Sequence, residues 1–442
     1  MKTLVKVVSV CIALAFVVGM FGVSEAAAKT TLTWWHLWGG TRTELIEKLA
    51  EDYQKAHPDV EFEITFTPPN EMQKKIVQAA GTGTLPDIFT MNSGWYDLLQ
   101  PQATLLNLDE YIKKDAVVLE DILVAAEAKR SYYEDSVYSL PNVNAGGGGL
   151  FFYNKGLVEK AGLDVADMPT NWEEFTAASK IMVEKLNTGD QLDIIAWDPN
   201  QMAGQPAVIM FSWGAGHPTV SEDGRTSLFN SPGVVETAKI FDNYVEEVYG
   251  KFGGYKALLE WNSRVAGADT GAAQVQAFVK EAQVFYVSGS WTIGQVRAGN
   301  PDMEFGLVPV PGFNGQHGAT AKDGWSYAIN KKSKQKDAAW DFLKFITIDP
   351  AGNGEFCKAQ GRPSPIAAVN EDSHYTEDMG AMWTNLVASM TKDIVLNVNI
   401  YGDTAKPWLR DFPARRIAGE SVEDIMEEIH EMFQSFLDDT YN

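Results

Sequence analysis

Thirteen tryptophans stand out in this chain as residues able to do recognition chemistry. Trp35, Trp38, Trp95, Trp213, Trp291, Trp325 and Trp408 fall at expected ends of strands or helices, beside Gly, Ser, Asn or Pro. An indole at such an exit is a large rigid platform with a polar edge. A pyranose ring offers the matching surfaces, an apolar C–H face and a polar rim. Stacking plus hydrogen bonds from Asn, Gln, His, Arg or Asp would leave no ligand hydroxyl unpaired, an omission that costs about 1–3 kcal/mol per group. Trp34, Trp172, Trp197 and Trp340 lie inside apolar patterns and read as core. Arg362, in Gly361-Arg362-Pro363, is a candidate charged donor.

Catalytic and metal signals are weak by comparison. There is no G-x-S-x-G elbow and no H-E-x-x-H, since His430-Glu431 lacks the second histidine. His36, His57, His217, His317, His374 and His430 are scattered, with no zinc-ligand spacing. Gly146 to Gly149 is followed by an apolar strand pattern and lacks the Lys-Ser/Thr pair, so it is no phosphate loop. No calcium-loop spacing occurs. No cofactor and no catalytic residue is expected. Paired glycosidase carboxylates leave no local signature, so a secreted carbohydrate-active enzyme, hydrolase or lyase, stays open as an alternative.

The elements that would position these residues follow from periodicity. Thr31 to His36 reads as a buried strand, Trp38-Gly39-Gly40 as its turn, and Thr41 as the cap of a helix with Leu45, Ile46, Leu49 and Tyr53 on one face. A second strand over Val60–Phe66, a second helix over Glu71–Ala80 and a third strand near Ile88 complete a βαβαβ start. That pattern predicts a mainly parallel sheet. Ligands on such sheets bind outside the carboxyl ends of the strands. Those ends carry His36, Trp38, Asn92 and Trp95.

Tyr138 to Gly156 joins two strands through Pro141, Asn142, Asn144 and the four glycines, residue types that supply turns and positive φ. It reads as a crossing between two lobes. Later, Trp172 opens an amphipathic helix capped by Thr170 or Asn171, Leu192–Trp197 reads as a strand, and Gln201–Trp213 as a helix. Pro232–Tyr249 is a long helix. Val284–Val287, Phe305–Val310 and Trp325–Asn330 read as strands, and Asp337–Ile346 as a helix. Further crossings are expected near Val310 and Ile346. The last helix carries an apolar stripe from Val422 to Leu437.

Lys2 and Lys6, the apolar run Val7–Val23 and Ala26-Ala27-Ala28 form a cleavable signal peptide over residues 1–28. Cys11 sits within the apolar run after Val10, so a lipoprotein anchor is not expected. Cys357 is then the one cysteine of the mature chain, which excludes an internal disulfide. The formal net charge of −23 disfavours nucleic acid and anionic lipid as partners.

The run Val137-Tyr138-Ser139-Leu140-Pro141, small residues, then Leu150-Phe151-Phe152-Tyr153-Asn154-Lys155 resembles a crossover of the extracellular solute-binding proteins of ABC sugar importers. So do Trp35-x-x-Trp38-Gly39-Gly40 between strand and helix, Leu85-Pro86-Asp87-Ile88-Phe89 with Trp95, and Asn171-Trp172-Glu173-Glu174. The four-glycine run and Trp-rich first loop depart from the maltodextrin-binding type, so the resemblance does not extend to maltose. It implies a two-lobed α/β periplasmic-binding-protein fold, each lobe a mainly parallel sheet flanked by helices, joined by several crossovers. The expected lobes are 29–140 with 311–347, and 141–310 with 348–442. It implies capture of a mono- or oligosaccharide in the periplasm by a monomer that docks on ABC permease membrane subunits. The implied ligand-binding set is His36, Trp38, Asn92, Trp95, Asn142, Asn144, Gln201, Trp213, Trp291, Trp325, Arg362 and Trp408. A neutral sugar is the first expectation. A glycerol phosphodiester or other anionic sugar derivative is the rival, and would need several arginines where only Arg362 is placed.

Overall fold

The computed structural model describes residues 29–40, 42–144, 150–200, 206–266, 271–308, 310–313, 321–322, 324–373, 383, 394–395 and 402–441. The expected signal peptide, Thr41, Gly146–Gly149 and Gln201 lie outside them. Two main sheets use the strands β1 (Thr30–His36), β2 (Val60–Phe66), β3 (Ile88–Asn92), β4 (Ser139–Pro141), β5 (Leu150–Asn154), β6 (Phe285–Ser288), β7 (Phe305–Val308) and β8 (Trp325–Ile329). The helices that matter below are α1 (Arg42–Ala56), α2 (Pro69–Thr82), α3 (Ala125–Arg130), α4 (Trp172–Leu186), α5 (Ala207–Gly214), α6 (Pro232–Tyr249), α7 (Trp291–Gly299), α8 (Lys336–Thr347), α9 (Glu355–Lys358), α10 (Gly402–Arg410) and α11 (Val422–Tyr441).

The first sheet has the order β2-β1-β3-β8-β4. Its β2-β1-β3 part is parallel, as the βαβαβ start requires, and β8 returns antiparallel between β3 and β4. Alternation along β1 sends Leu32, Trp34 and His36 into one buried face. There Trp34 meets Phe342 of α8 edge-on at 5.1 Å, and Tyr53 of α1 meets the same ring at 4.9 Å. Burying each such ring is worth about 1.5–3 kcal/mol. Pro141, expected to end its strand, instead pairs with Ser326 as the last residue of β4. Proline has no N–H to give, and β4 is the edge strand of this sheet, where that donor is dispensable.

The second sheet has the order β6-β5-β7, with both neighbours antiparallel to β5. A mainly parallel sheet was the expectation here. The parallel relation survives between β6 and β7, which run alike, while β5 enters between them from the crossing in the opposite sense. Leu192–Trp197 also departs from its strand expectation, keeping a single parallel bridge from Ile195 to Gln283. Its backbone bonds to residues 282–285 are confined to Ile195 and Ala196, and side chains take much of the rest. Asn187 Oδ1 accepts from the Asp193 and Ile194 amides, and the Tyr249 hydroxyl accepts from Ala196 and Trp197 and donates to the Trp197 carbonyl.

Around this sheet α4, α5 and α6 enclose an aromatic core of Phe175, Trp197, Phe211, Phe241 and Tyr244. Asn171 caps α4 by accepting from the Glu174 amide at 3.0 Å. On α11, Val422, Ile425, Met426, Ile429, Phe433 and Leu437 are buried, and the helix packs on α6 and α10.

Candidate ligand-binding site

His36 ends β1, and its neighbours build the first wall. The Trp38 amide donates to His36 Nδ1 at 3.2 Å, and the Trp38 indole N–H donates to the Tyr327 hydroxyl of β8 at 3.1 Å. Accepting at Nδ1 requires a neutral imidazole with its proton on the other nitrogen. Burial lowers the His36 pKa to about 4, which keeps it in that form. Burial also pushes the Tyr327 hydroxyl well above its usual range, so it remains a protonated partner for Trp38. Together these contacts fix the first indole before any ligand arrives.

Asn92 ends β3 and pairs with Trp325, the first residue of β8. Its side chain accepts from the Gly94 amide at 2.8 Å, which turns the chain so that Trp95 meets Trp325 edge-on at 5.7 Å. The Trp325 carbonyl accepts from the Asn142 amide at 3.2 Å, tying the first crossing to the same wall. Arg130 of α3, paired with Glu127 and wholly buried, adds bonds to Ser326 Oγ and the Val143 carbonyl. Among the described residues, both groups of the buried Asn142 side-chain amide lack a hydrogen bond. Asn144 donates to the Ser364 carbonyl at 3.2 Å, two residues from Arg362.

Trp291 opens α7 at the exit of β6 and supplies the opposite wall. Its ring folds back over Gly289, where even a Cβ would lie 2.0 Å from the indole, so only glycine allows the fold-back. The Arg362 guanidinium, buried at 2 % exposure, bridges the walls. Its central carbon is 5.5 Å from the Trp38 ring centre and 5.8 Å from that of Trp291.

Thus His36, Trp38, Trp291 and Arg362 form one contact group, and Asn92, Trp95, Asn142 and Trp325 a second along the same sheet edge. Trp213 donates its indole N–H to Thr219, and half-buried Trp408 lies on α10. Among the described residues no ring contact joins either to these groups. Trp35 faces away, under the Lys75 ammonium at 4.0 Å. The sequence reading missed Arg42, whose guanidinium carbon lies 5.2 Å from the Trp38 ring centre. A cation in the first turn of a helix opposes the helix dipole, and that was the legible signal. A separate cavity of about 30 Å³ beside Val208, Phe241, Tyr255 and Leu409 has room for a water or two but not a sugar ring.

Comparison with known proteins agrees with this architecture. The family model described as "Bacterial extracellular solute-binding protein" matches residues 39–352. A maltotriose-binding protein of Pyrococcus abyssi is 26% identical over 329 residues, 72% of this chain and 62% of that protein. An sn-glycerol-3-phosphate-binding periplasmic protein of Agrobacterium fabrum is 28% identical over 192 residues, 40% of this chain and 41% of that protein. The solved structure of CpMnBP1 with mannotriose bound superposes with a TM-score of 0.77 at 20% identity, covering 91% of this chain and 99% of that one, and so shares the fold. The chain belongs to the bacterial extracellular solute-binding protein family.

Proposed function

We propose that this protein is the periplasmic substrate-binding component of an ABC importer and captures a carbohydrate between its two sheets. The carrying observation is the Trp38–Arg362–Trp291 group, in which one buried cation touches an indole from each sheet's exit loops. Indoles on both walls suit the two faces of a sugar ring, and buried amides suit its rim. Relatives named for maltotriose binding and multiple-sugar binding support the ligand class.

In this reading residues 29–140 with 311–347 form one lobe, and 141–310 with 348–442 the other. The segments near Pro141, Val310 and Ile346 are the crossings. The open form takes sugar on one lobe, closure recruits the other, and the closed monomer docks on permease subunits. Differential affinity for the closed form drives the shift. The first 28 residues direct export and are removed. The protein turns nothing over, in keeping with a solute-binding family.

The test is a thermal-shift screen of the mature protein against mono- and oligosaccharides, followed by overnight incubation and chromatography of any binder. A sugar is expected to bind at about micromolar Kd, near −8 kcal/mol, and to be recovered intact. Shifts with only amino acids or peptides, or hydrolysis that vanishes on changing one carboxylate, would refute the proposal.

A further inference from the structure

Arg362 cannot keep both of its ring contacts when the cleft opens. Its guanidinium touches Trp38, from the exit of β1, and Trp291, from the exit of β6, at 5.5 and 5.8 Å from the ring centres. The bonds around it decide which contact breaks. The Val124 amide donates to the Pro365 carbonyl at 2.9 Å, and Leu123 and Ile366 form an antiparallel bridge. Phe356 of α9 meets Trp38 edge-on at 5.8 Å. The Arg362 amide donates to the Cys357 carbonyl at 3.2 Å, which ties the arginine to α9. Residues 356–366 are thus fastened to the first sheet's elements, although the sequence reading counted them with the second lobe. Arg362 is a projection of the first wall, and opening parts it from Trp291.

The second wall is shaped to receive it. The Trp291 ring lies back over Gly289, and Gly294, one turn further along α7, brings that helix against the same loop. A Cβ at Gly294 would stand 3.7 Å from the Gln360 carbonyl oxygen, an ordinary contact distance. So α7 meets the Gln360–Arg362 loop at two points, a ring and its own backbone. Arg362 is buried, and a cation over an indole is strongest where water is excluded. Arginine suits this post because its guanidinium is weakly hydrated and stacks on aromatic faces. Every one of these partners belongs to the protein, so the contact forms without a ligand.

We propose that Arg362 and Trp291 form a latch that biases the empty protein towards its closed form. This rests on the closure reading above and adds to it a device that acts before any ligand arrives. A two-state protein commonly holds its minor form at about 0.1–10 %. A desolvated cation–indole contact shifts an equilibrium by about tenfold or more. That is enough to lift a minor closed form to a share comparable with the open one. Ligand then completes a closure already in part made, and its apparent affinity rises with the closed share.

Single-molecule energy transfer on the empty mature protein tests this, with one dye on exposed Lys48 of α1 and one on exposed Glu184 of α4, each changed to cysteine. Unfolding in urea and refolding first strips any ligand carried through purification. Two populations of comparable size are expected in the wild type, which needs no latch variant. Trp291→Leu and Arg362→Met, checked for folding by circular dichroism, are each expected to lower the closed-to-open ratio about tenfold. The double variant should lower it no further than either single one, because both remove the same contact. A wild type that is wholly open, or variants that keep the wild-type ratio, overturns the latch. Because no sugar is present, neither result touches the carbohydrate-capture reading, which stands or falls on the ligand screen.

Discussion

Asn353 donates its side-chain amide to the main-chain carbonyl of Asn142 at 2.9 Å, across 211 positions of sequence. The same amide donates to the Ile346 carbonyl at 3.1 Å, and its oxygen accepts from Ser364 Oγ at 2.8 Å. One buried side chain therefore pins the first crossing, the end of α8 and the loop after Arg362. Satisfied buried networks of this kind fix geometry more than they add net stability, and breaking one is costly.

Asn353→Ala is expected to destabilise the protein by about 3 kcal/mol, because two buried carbonyls lose their donor. Urea unfolding at pH 7 measures this. A loss within the error of extrapolation would show that the network is replaceable.

Trp291→Ala is expected to abolish most ligand binding and, with it, the compaction seen by small-angle scattering on saturation. Trp95→Ala should do likewise if its edge contact with Trp325 borders the ligand. Unchanged scattering of the wild type with a tight ligand would show a rigid protein and end the closure model.

His36 makes stability depend on pH in a defined sense. Its folded pKa is about 4, below the 6.5 of an open chain, because burial disfavours the charged ring. The unfolded chain binds more protons between those values. The contribution is thus complete above pH 6.5 and is lost as pH falls through 6.5 towards 4, at most about 3 kcal/mol. Buried Asp198, whose pKa is raised, acts in the opposite direction, so the comparison must be between wild type and His36→Gln. The variant should show a flatter loss of stability from pH 7 to 4.5, and parallel curves would count against a neutral buried His36.

Cys357 is fully buried, and burial pushes its thiol up to about 12. The native protein is expected to resist alkylation by iodoacetamide at pH 8 and to react on unfolding in urea. Labelling of the native form at the rate of a free thiol would contradict that burial.

Much of this fold was legible because single-face periodicity in α1, α8 and α11 and alternation in β1 are local signals. The family resemblance supplied the pairing of distant segments. What failed was decided by contacts no local pattern encodes. Leu192–Trp197 has strand composition, yet only Ile195 and Ala196 bond the neighbouring backbone, and Asn187 and Tyr249 take groups on either side. Arg42 opens α1 against the helix dipole, but its place over Trp38 depends on the turn after β1. The direction of β5 was set by the crossing that delivers it and not by its apolar run.

The position of β8 bears on the order in which the chain can assemble. It lies between β3 and β4, so the inner edge of β3 stays unpaired until residue 329 has emerged. A chain leaving the ribosome amino end first therefore holds some three hundred residues with an incomplete leading sheet. The strand that closes this sheet is therefore among the last of its parts to be made. Limited proteolysis of chains stalled before Trp325 and after Asn330 would read this directly, as a change from sensitive to resistant in the first 140 residues.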